Sequence, residues 1–212
     1  MIRVTTDGPV VTITLDRTDK ANSLTAAMLG DLIDAVAQAQ AGDARVVILT
    51  GAGKVFSAGA DLDEARAGLA TSPLWEELSG RIAALPCLSI AALNGTLAGG
   101  AFGMVLACDL RLAVPEARFF YPVMRLGFLP QPSDPARLAA LIGPARTKMI
   151  LMAGARVEAD EARAWGLIDR IVPREALAEA ALALGQDAAG AGAAHVAAIR
   201  QLVPIADPRH RS

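Results

Sequence analysis

Residues 82–108 contain no charged side chain. As one continuous helix, that run would be long enough to cross a bilayer. Pro86, the Asn94-Gly95 pair and Gly99-Gly100 instead divide it into pieces with the dimensions of a strand, a turn and a helix. The run therefore reads as the buried centre of a globular domain, and no membrane span is expected. With 212 residues and 53% hydrophobic content, the chain is near the length at which a single core is filled. Aromatics make up only 4% while alanine is abundant, which favours helices packed closely through small side chains. Lys plus Arg number 20 against 22 Asp plus Glu, and no long basic block occurs. This balance argues against nucleic acid as the principal partner. Cys87 and Cys108 are too few to staple a domain, and the opening MIRVTTDG lacks the pattern of a secretion signal; both fit a reducing cytoplasm.

Residues 2–6 and 10–15 are β-branched runs around Asp7-Gly8-Pro9 and read as a hairpin. Met28, Leu29, Leu32, Ile33 and Val36 recur at helical spacing within a helix expected over 25–41. "RVVILTG" has too little alternation for a half-exposed strand and is expected inside a sheet covered on both faces. A strand over 88–93, a bend over 94–98 and a very apolar helix over 99–107 follow, with a helix opened by Ser72-Pro73 before them. Further on, strands are expected at 110–114 and 119–121. Ser133 is expected to cap a helix over 134–142, and Pro144 to open another reaching Met152. Residues 157–165 read as a helix closed by Gly166, and Pro173 opens an alanine-rich helix to about residue 189. A final helical pattern covers 191–203, and the end, "IADPRHRS", is expected to fray.

The unit of strand, bend and helix occurs twice, and both bends carry glycine just before the helix: "FSAGAD" at 56–61 and "NGTLAGG" at 94–100. Amides at a helix start lack intrahelical partners, and the local dipole favours negative charge. Two such amides from separate bends suit an oxygen that gains charge during a reaction. Periodicity alone also admits the plainer reading of ordinary turns and close-packing sites.

"KVFSAGADLDE", "NGTLAGGAFGMVLACDLRLA" and "ARVEADEARAWGLIDRIV", in this order, resemble the enoyl-CoA hydratase/isomerase, or crotonase, family. The resemblance runs from about Val10 to Leu182. It implies an α/β ββα spiral (ClpP/crotonase-like) fold, acyl-CoA thioester ligands and trimers or pairs of trimers. Coenzyme A would enter as part of the ligand, with no separate prosthetic group. By motif position, the resemblance assigns an oxyanion hole to the amides of Ala58 and Gly100. It also places Ala60, Asp61 and Leu62 along an adenine-recognising strand-end, and Lys20-Ala21 near the pantetheine or phosphate end. The chain would divide into a core over 1–190 and a shortened C-terminal helix and tail over 191–212. Relatives commonly continue with helices over the acyl pocket.

The sequence departs from the family where hydration needs two glutamates. Their positions fall on Gly103 and Val123, and neither residue exchanges a proton. Gln131 replaces a nearby glycine, followed by Pro132-Ser133-Asp134-Pro135. Asp134 is expected chiefly as a first-turn carboxylate; its alternative is a proton carrier with a pKa raised by an apolar pocket. Tyr121 reads as a core residue with a wet hydroxyl, and Arg125 as a solvated charge. Gln131 and Arg125 are also candidates to orient a leaving carboxylate. Cys87 and Cys108 read as small core hydrophobes. Ser57 lacks the surroundings of an esterase nucleophile, and His195 and His210 lack a third ligand for a metal.

Overall fold

The structure, a computed structural model, describes residues 1–203. The expected frayed end at 205–212, with His210, lies outside them. β1 (Ile2–Asp7) and β2 (Val10–Leu15) form the expected hairpin, with Ile2 opposite Leu15. Thr25 opens α1 (Ala26–Ala41) by accepting the N–H of Met28 on its side chain. The helix buries Met28, Leu29, Leu32, Ile33 and Val36, the stripe expected from their spacing. β3 (Val46–Gly51) runs parallel to β2, and its first four residues are buried on both faces.

From β3 the chain crosses to a second sheet as β4 (Val55–Ser57), then forms α2 (Leu62–Arg66) and α3 (Leu74–Ala83). β5 (Leu88–Leu93) returns to the first sheet and β6 (Thr96–Ala98) to the second. A 3₁₀ turn (Gly99–Ala101) then leads into α4 (Phe102–Leu106). β7 (Leu110–Ala113) and β8 (Arg118–Phe120) repeat the alternation, followed by α5 (Val123–Leu126) and α6 (Asp134–Leu151). β9 (Val157–Glu158), α7 (Ala159–Trp165), β10 (Arg170–Ile171), α8 (Leu177–Gly190) and α9 (Ala193–Leu202) complete the described chain. Among these residues the larger sheet has the order β1-β2-β3-β5-β7-β10 and the smaller the order β4-β6-β8-β9. The turns of the ββα spiral made by β3–β4, β5–β6 and β7–β8 thus each add one longer strand to the first sheet and one short strand to the second. Residues 82–108 supply α3's end, β5, β6 and α4, so the uncharged run is the buried middle of the spiral. No helix of the described residues is long and apolar enough to cross a membrane.

Three local readings change. The bends expected at 56–61 and 94–98 include parts of short strands, β4 and β6, that pair with each other, because tertiary pairing extends segments too short to carry a period. Ser133 does not cap α6: its hydroxyl donates to Glu76 Oε1, and its N–H donates to Glu76 Oε2 at 3.2 Å. α6 is continuous in outline, yet Gly143 (φ 78°) breaks its helical geometry ahead of Pro144, so the two expected helices abut there.

The successive units of the spiral are locked where they pass each other. A methyl group built on Gly95 would lie 1.9 Å from the carbonyl oxygen of Lys54 and 2.8 Å from its carbon. Beside it, Asn94 accepts the Gly51 N–H at 3.1 Å and donates to the carbonyls of Gly53 (3.0 Å) and Val55 (3.2 Å). Asn22 donates to Ala52 and Val55 from the other side. Replacing Gly95 with alanine forces two backbones apart, which no rotamer change relieves. The variant should lose about 1–3 kcal/mol or more of stability, read as a lower urea midpoint; an unchanged midpoint would contradict this packing.

Candidate functional site

The two glycine bends meet backbone to backbone. A methyl group on Gly59, which has φ 91°, would lie 2.9 Å from the carbonyl oxygen of Ala98 and 3.3 Å from the Cα of Gly99. Only glycine meets both demands, a positive φ and an approach this close. The first bend is held by Ser57, whose hydroxyl donates to the Asn22 carbonyl at 2.8 Å and accepts the Gly59 N–H at 3.1 Å. Ser57 is therefore a structural strut. Ala21 and Asn22 both adopt left-handed conformations (φ 50° and 53°), turning the preceding loop so that its carbonyls face this bend.

That loop decides which amides are available. The Ala58 N–H donates to the Ala21 carbonyl at 3.0 Å, so the amide expected to serve a ligand already has an acceptor. Two residues on, Leu24 and Ala60 form a bridge in which the Leu24 N–H donates to Gly59 and the Asp61 N–H to Leu24, each at 2.8 Å. The bridge leaves the Ala60 N–H without an acceptor among the described residues. Across the contact, Gly100 lies in the first turn of the 3₁₀ segment leading into α4, where its N–H has no intrahelical acceptor. Ala60 and Gly100 are both half-buried. Trp75 packs its ring where a side chain of Gly100 would start, 3.2 Å from that position, and donates its indole N–H to Leu69 at 2.7 Å.

Of the residues assigned by resemblance to the nucleotide end, only Ala21 bonds to the first bend among the described residues. Lys20 ends a 3₁₀ turn, and Ala21 meets Ala58. Asp61 and Leu62 do not continue a strand. Asp61 caps α2 by accepting the N–H groups of Asp63 and Glu64, and Leu62 is the first helical residue, 69% exposed. Arg17 donates to Asp61 at 2.8 Å, and this bond holds the Asp61 carboxyl below the usual carboxylate range. Its side chain therefore serves the loop rather than a ligand.

At Gly103, one turn beyond Gly100, the structure places a carboxylate from elsewhere in the chain. Asp134 opens α6, yet it is fully buried instead of facing solvent at the helix start. Tyr121 donates its hydroxyl to Asp134 Oδ2 at 3.0 Å. Oδ1 has no hydrogen-bond partner among the described residues and lies 3.1 Å from where a methyl group on Gly103 would be. Burial pushes the Asp134 carboxyl up to about 7, against the opposing influence of the Tyr121 hydrogen bond and the Arg137 charge; Glu76 adds to the rise. Burial, with the Asp134 charge, pushes the Tyr121 phenol well above its ordinary range. The Tyr121 hydroxyl is enclosed, not wet, and its ring stacks on Phe102. Gln131 donates its amide N–H to Tyr121 Oη at 3.4 Å and its side-chain NH₂ to the Ala70 carbonyl at 3.4 Å. Val123 is buried, and Arg125 is exposed as expected.

The missing side chain at Gly103, whose space the Asp134 carboxylate takes, is a non-local signal that the pattern around residue 134 does not carry. A cavity of about 670 Å³ lies elsewhere, between α6, α8, α9 and the edge of β7. Arg111 and Arg200 on its wall are committed to Asp169, Asp109 and backbone carbonyls. Cys108 lines it as a core thiol, pushed up to about 12 by burial, and buried Cys87 rises to about 11. Neither thiol is poised as a nucleophile.

A family model described as enoyl-CoA hydratase/isomerase matches residues 5–206. Carnitinyl-CoA dehydratase of Citrobacter koseri is 34% identical over 209 residues, 95% of this chain and 79% of that protein. A crystal structure of enoyl-CoA hydratase from Bacillus anthracis superposes with a TM-score of 0.89 at 35% identity, over 95% of this chain and 81% of that one. An enoyl-CoA hydratase from Mycobacterium avium subsp. paratuberculosis follows at TM-score 0.84 and 30% identity, over 93% and 78%.

The Asp134 environment fixes a pH dependence. An unfolded carboxyl releases its proton near the ordinary 3.8, the folded one near about 7. Between these values the folded chain holds the extra proton, so its contribution to stability is intact below the lower value and is lost as pH rises through the upper one. Urea midpoints of the wild type should carry this decline, and Asp134→Asn should flatten it. Parallel pH profiles for the two proteins would contradict the assignment.

Proposed function

The chain belongs to the enoyl-CoA hydratase/isomerase family, and from that premise we propose that it binds acyl-CoA thioesters and stabilises their enolate form at two backbone amides. The amides are those of Ala60 and Gly100. Ala58 is set aside because its N–H is already bonded to Ala21. The observation that carries this reading is the contact of Gly59 with Ala98 and Gly99, which brings the residues after both glycines to one place on the surface. A pre-aimed amide facing a developing oxyanion is worth about 2.7–4 kcal/mol to the transition state. Lys20, Ala21 and the segment 60–62 then border the path of the coenzyme A portion.

The reaction differs from two-glutamate hydration. Water addition needs one group to activate water and another to protonate the α-carbon; Gly103 and Val123 supply neither. Enolate chemistry without water, isomerisation or decarboxylation, fits the retained amides. A non-catalytic acyl-CoA-binding role is the second reading, favoured by the same two substitutions.

Calorimetric titration with butyryl-CoA and incubation with crotonyl-CoA test the proposal. Saturable butyryl-CoA binding is expected, with crotonyl-CoA hydration at least about 10²-fold below that of a two-glutamate hydratase. Absence of binding would refute the thioester site, and hydration at a full hydratase rate would refute the loss of the water-adding route.

A further inference from the structure

We propose that Asp134 is the proton-carrying residue of this site, working from the space left open by Gly103, with Tyr121 as its positioning residue. The proposal rests on the acyl-CoA reading above and adds the group that exchanges a proton with the bound acyl chain. A fully buried carboxyl with one unpartnered oxygen is costly unless that oxygen has a use. Asp134 Oδ1 is such an atom, and it points at a glycine on the helix that begins just after the Gly100 amide. Any side chain at 103 would meet that oxygen at 3.1 Å. Gly103 and Asp134 are thus two halves of one exchange: the proton-carrying group has moved from α4 to the start of α6.

Tyr121 fixes the carboxyl's orientation. Its hydroxyl donates to Oδ2 and accepts the Gln131 N–H, which leaves Oδ1 turned toward Gly103. The other charged groups that face the carboxyl are Glu76 from α3 and Arg137 from α6. Their opposing effects, with burial dominant, leave both protonation states populated near neutral pH, the condition a reversible proton carrier needs. Residues 131–133, just before Asp134, are tied across to α3 and its approach by the Ser133–Glu76 bonds and the Gln131–Ala70 bond.

The step is balanced without water or an oxidant. Asp134 carboxylate takes the α-proton, the C–H electron pair becomes the enolate double bond, and the charge moves to the thioester oxygen held by the two amides. The carboxylic acid then returns the proton to the α-carbon, giving exchange. From a 3-enoyl thioester it returns the proton to the γ-carbon, giving a 1,3 double-bond shift.

The test incubates wild type, Asp134→Asn and Tyr121→Phe with 3-butenoyl-CoA in deuterated water across the neutral pH range. Deuterium and product are read by mass spectrometry, with thermal melts of each protein and a butyryl-CoA titration of the wild type alongside. The wild type should exchange and isomerise with a rate that rises through about pH 7, as the carboxylate base forms. Asp134→Asn should lose about 10²- to 10⁴-fold. Tyr121→Phe should move the midpoint to higher pH, because the tyrosine bond holds the carboxyl's pKa down. Wild-type binding without exchange, an Asp134→Asn rate equal to wild type, or a midpoint unmoved in Tyr121→Phe would each overturn the proposal. If the wild type fails to bind butyryl-CoA, the acyl-CoA reading itself falls, and this one with it.

Discussion

Two stretches of main chain touch at Gly59 and Ala98–Gly99 with no side chain between them, and the rest of the site depends on that contact. Its closeness, 2.9 Å from a would-be methyl to a carbonyl oxygen, requires glycine on one side and a rigid partner on the other. The spiral supplies the rigidity. β4 and β6 pair directly below the contact, and Asn94 and Asn22 tie the turn before β4 to both neighbours. Long strands in the larger sheet anchor the short ones, so residues that could not form a stable strand alone are held in register.

Once the backbones are fixed, side-chain chemistry around them is free to change. Gly103 and Val123 bring no proton-exchanging group, yet the buried surroundings of α4 are not purely apolar. Asp134, Tyr121, Ser133 and Glu76 form a polar group against α4, and the missing side chain at 103 gives Asp134 its room. Elsewhere an uncompensated carboxyl would be lost to desolvation. Here a tyrosine hydrogen bond and a nearby guanidinium moderate the penalty without abolishing it.

Much of this was legible in the sequence because long elements carry their own periodicity. The hairpin, α1, β3, β5 and the break at Gly143 follow from runs and spacing within single segments. The short strands β4, β6 and β9 do not, since each exists only through a partner distant in sequence. The choice between Ala58 and Ala60 was hidden for a similar reason: it turns on where the carbonyls of Ala21 and Leu24 arrive. Ser133 looked like a helix cap until Glu76, on α3, claimed its hydroxyl. Asp134 had the local pattern of a solvated first-turn acid, and only the absence of a side chain on α4 explains its burial.

The central claim is that Ala60 and Gly100 aim their N–H groups at one thioester oxygen. The most direct measurement is the infrared stretch of a ¹³C-labelled butyryl-CoA carbonyl, compared between free solution and the bound state. Polarisation by two convergent amides predicts a shift to lower frequency on binding. A bound thioester whose carbonyl keeps its free-solution frequency would contradict it.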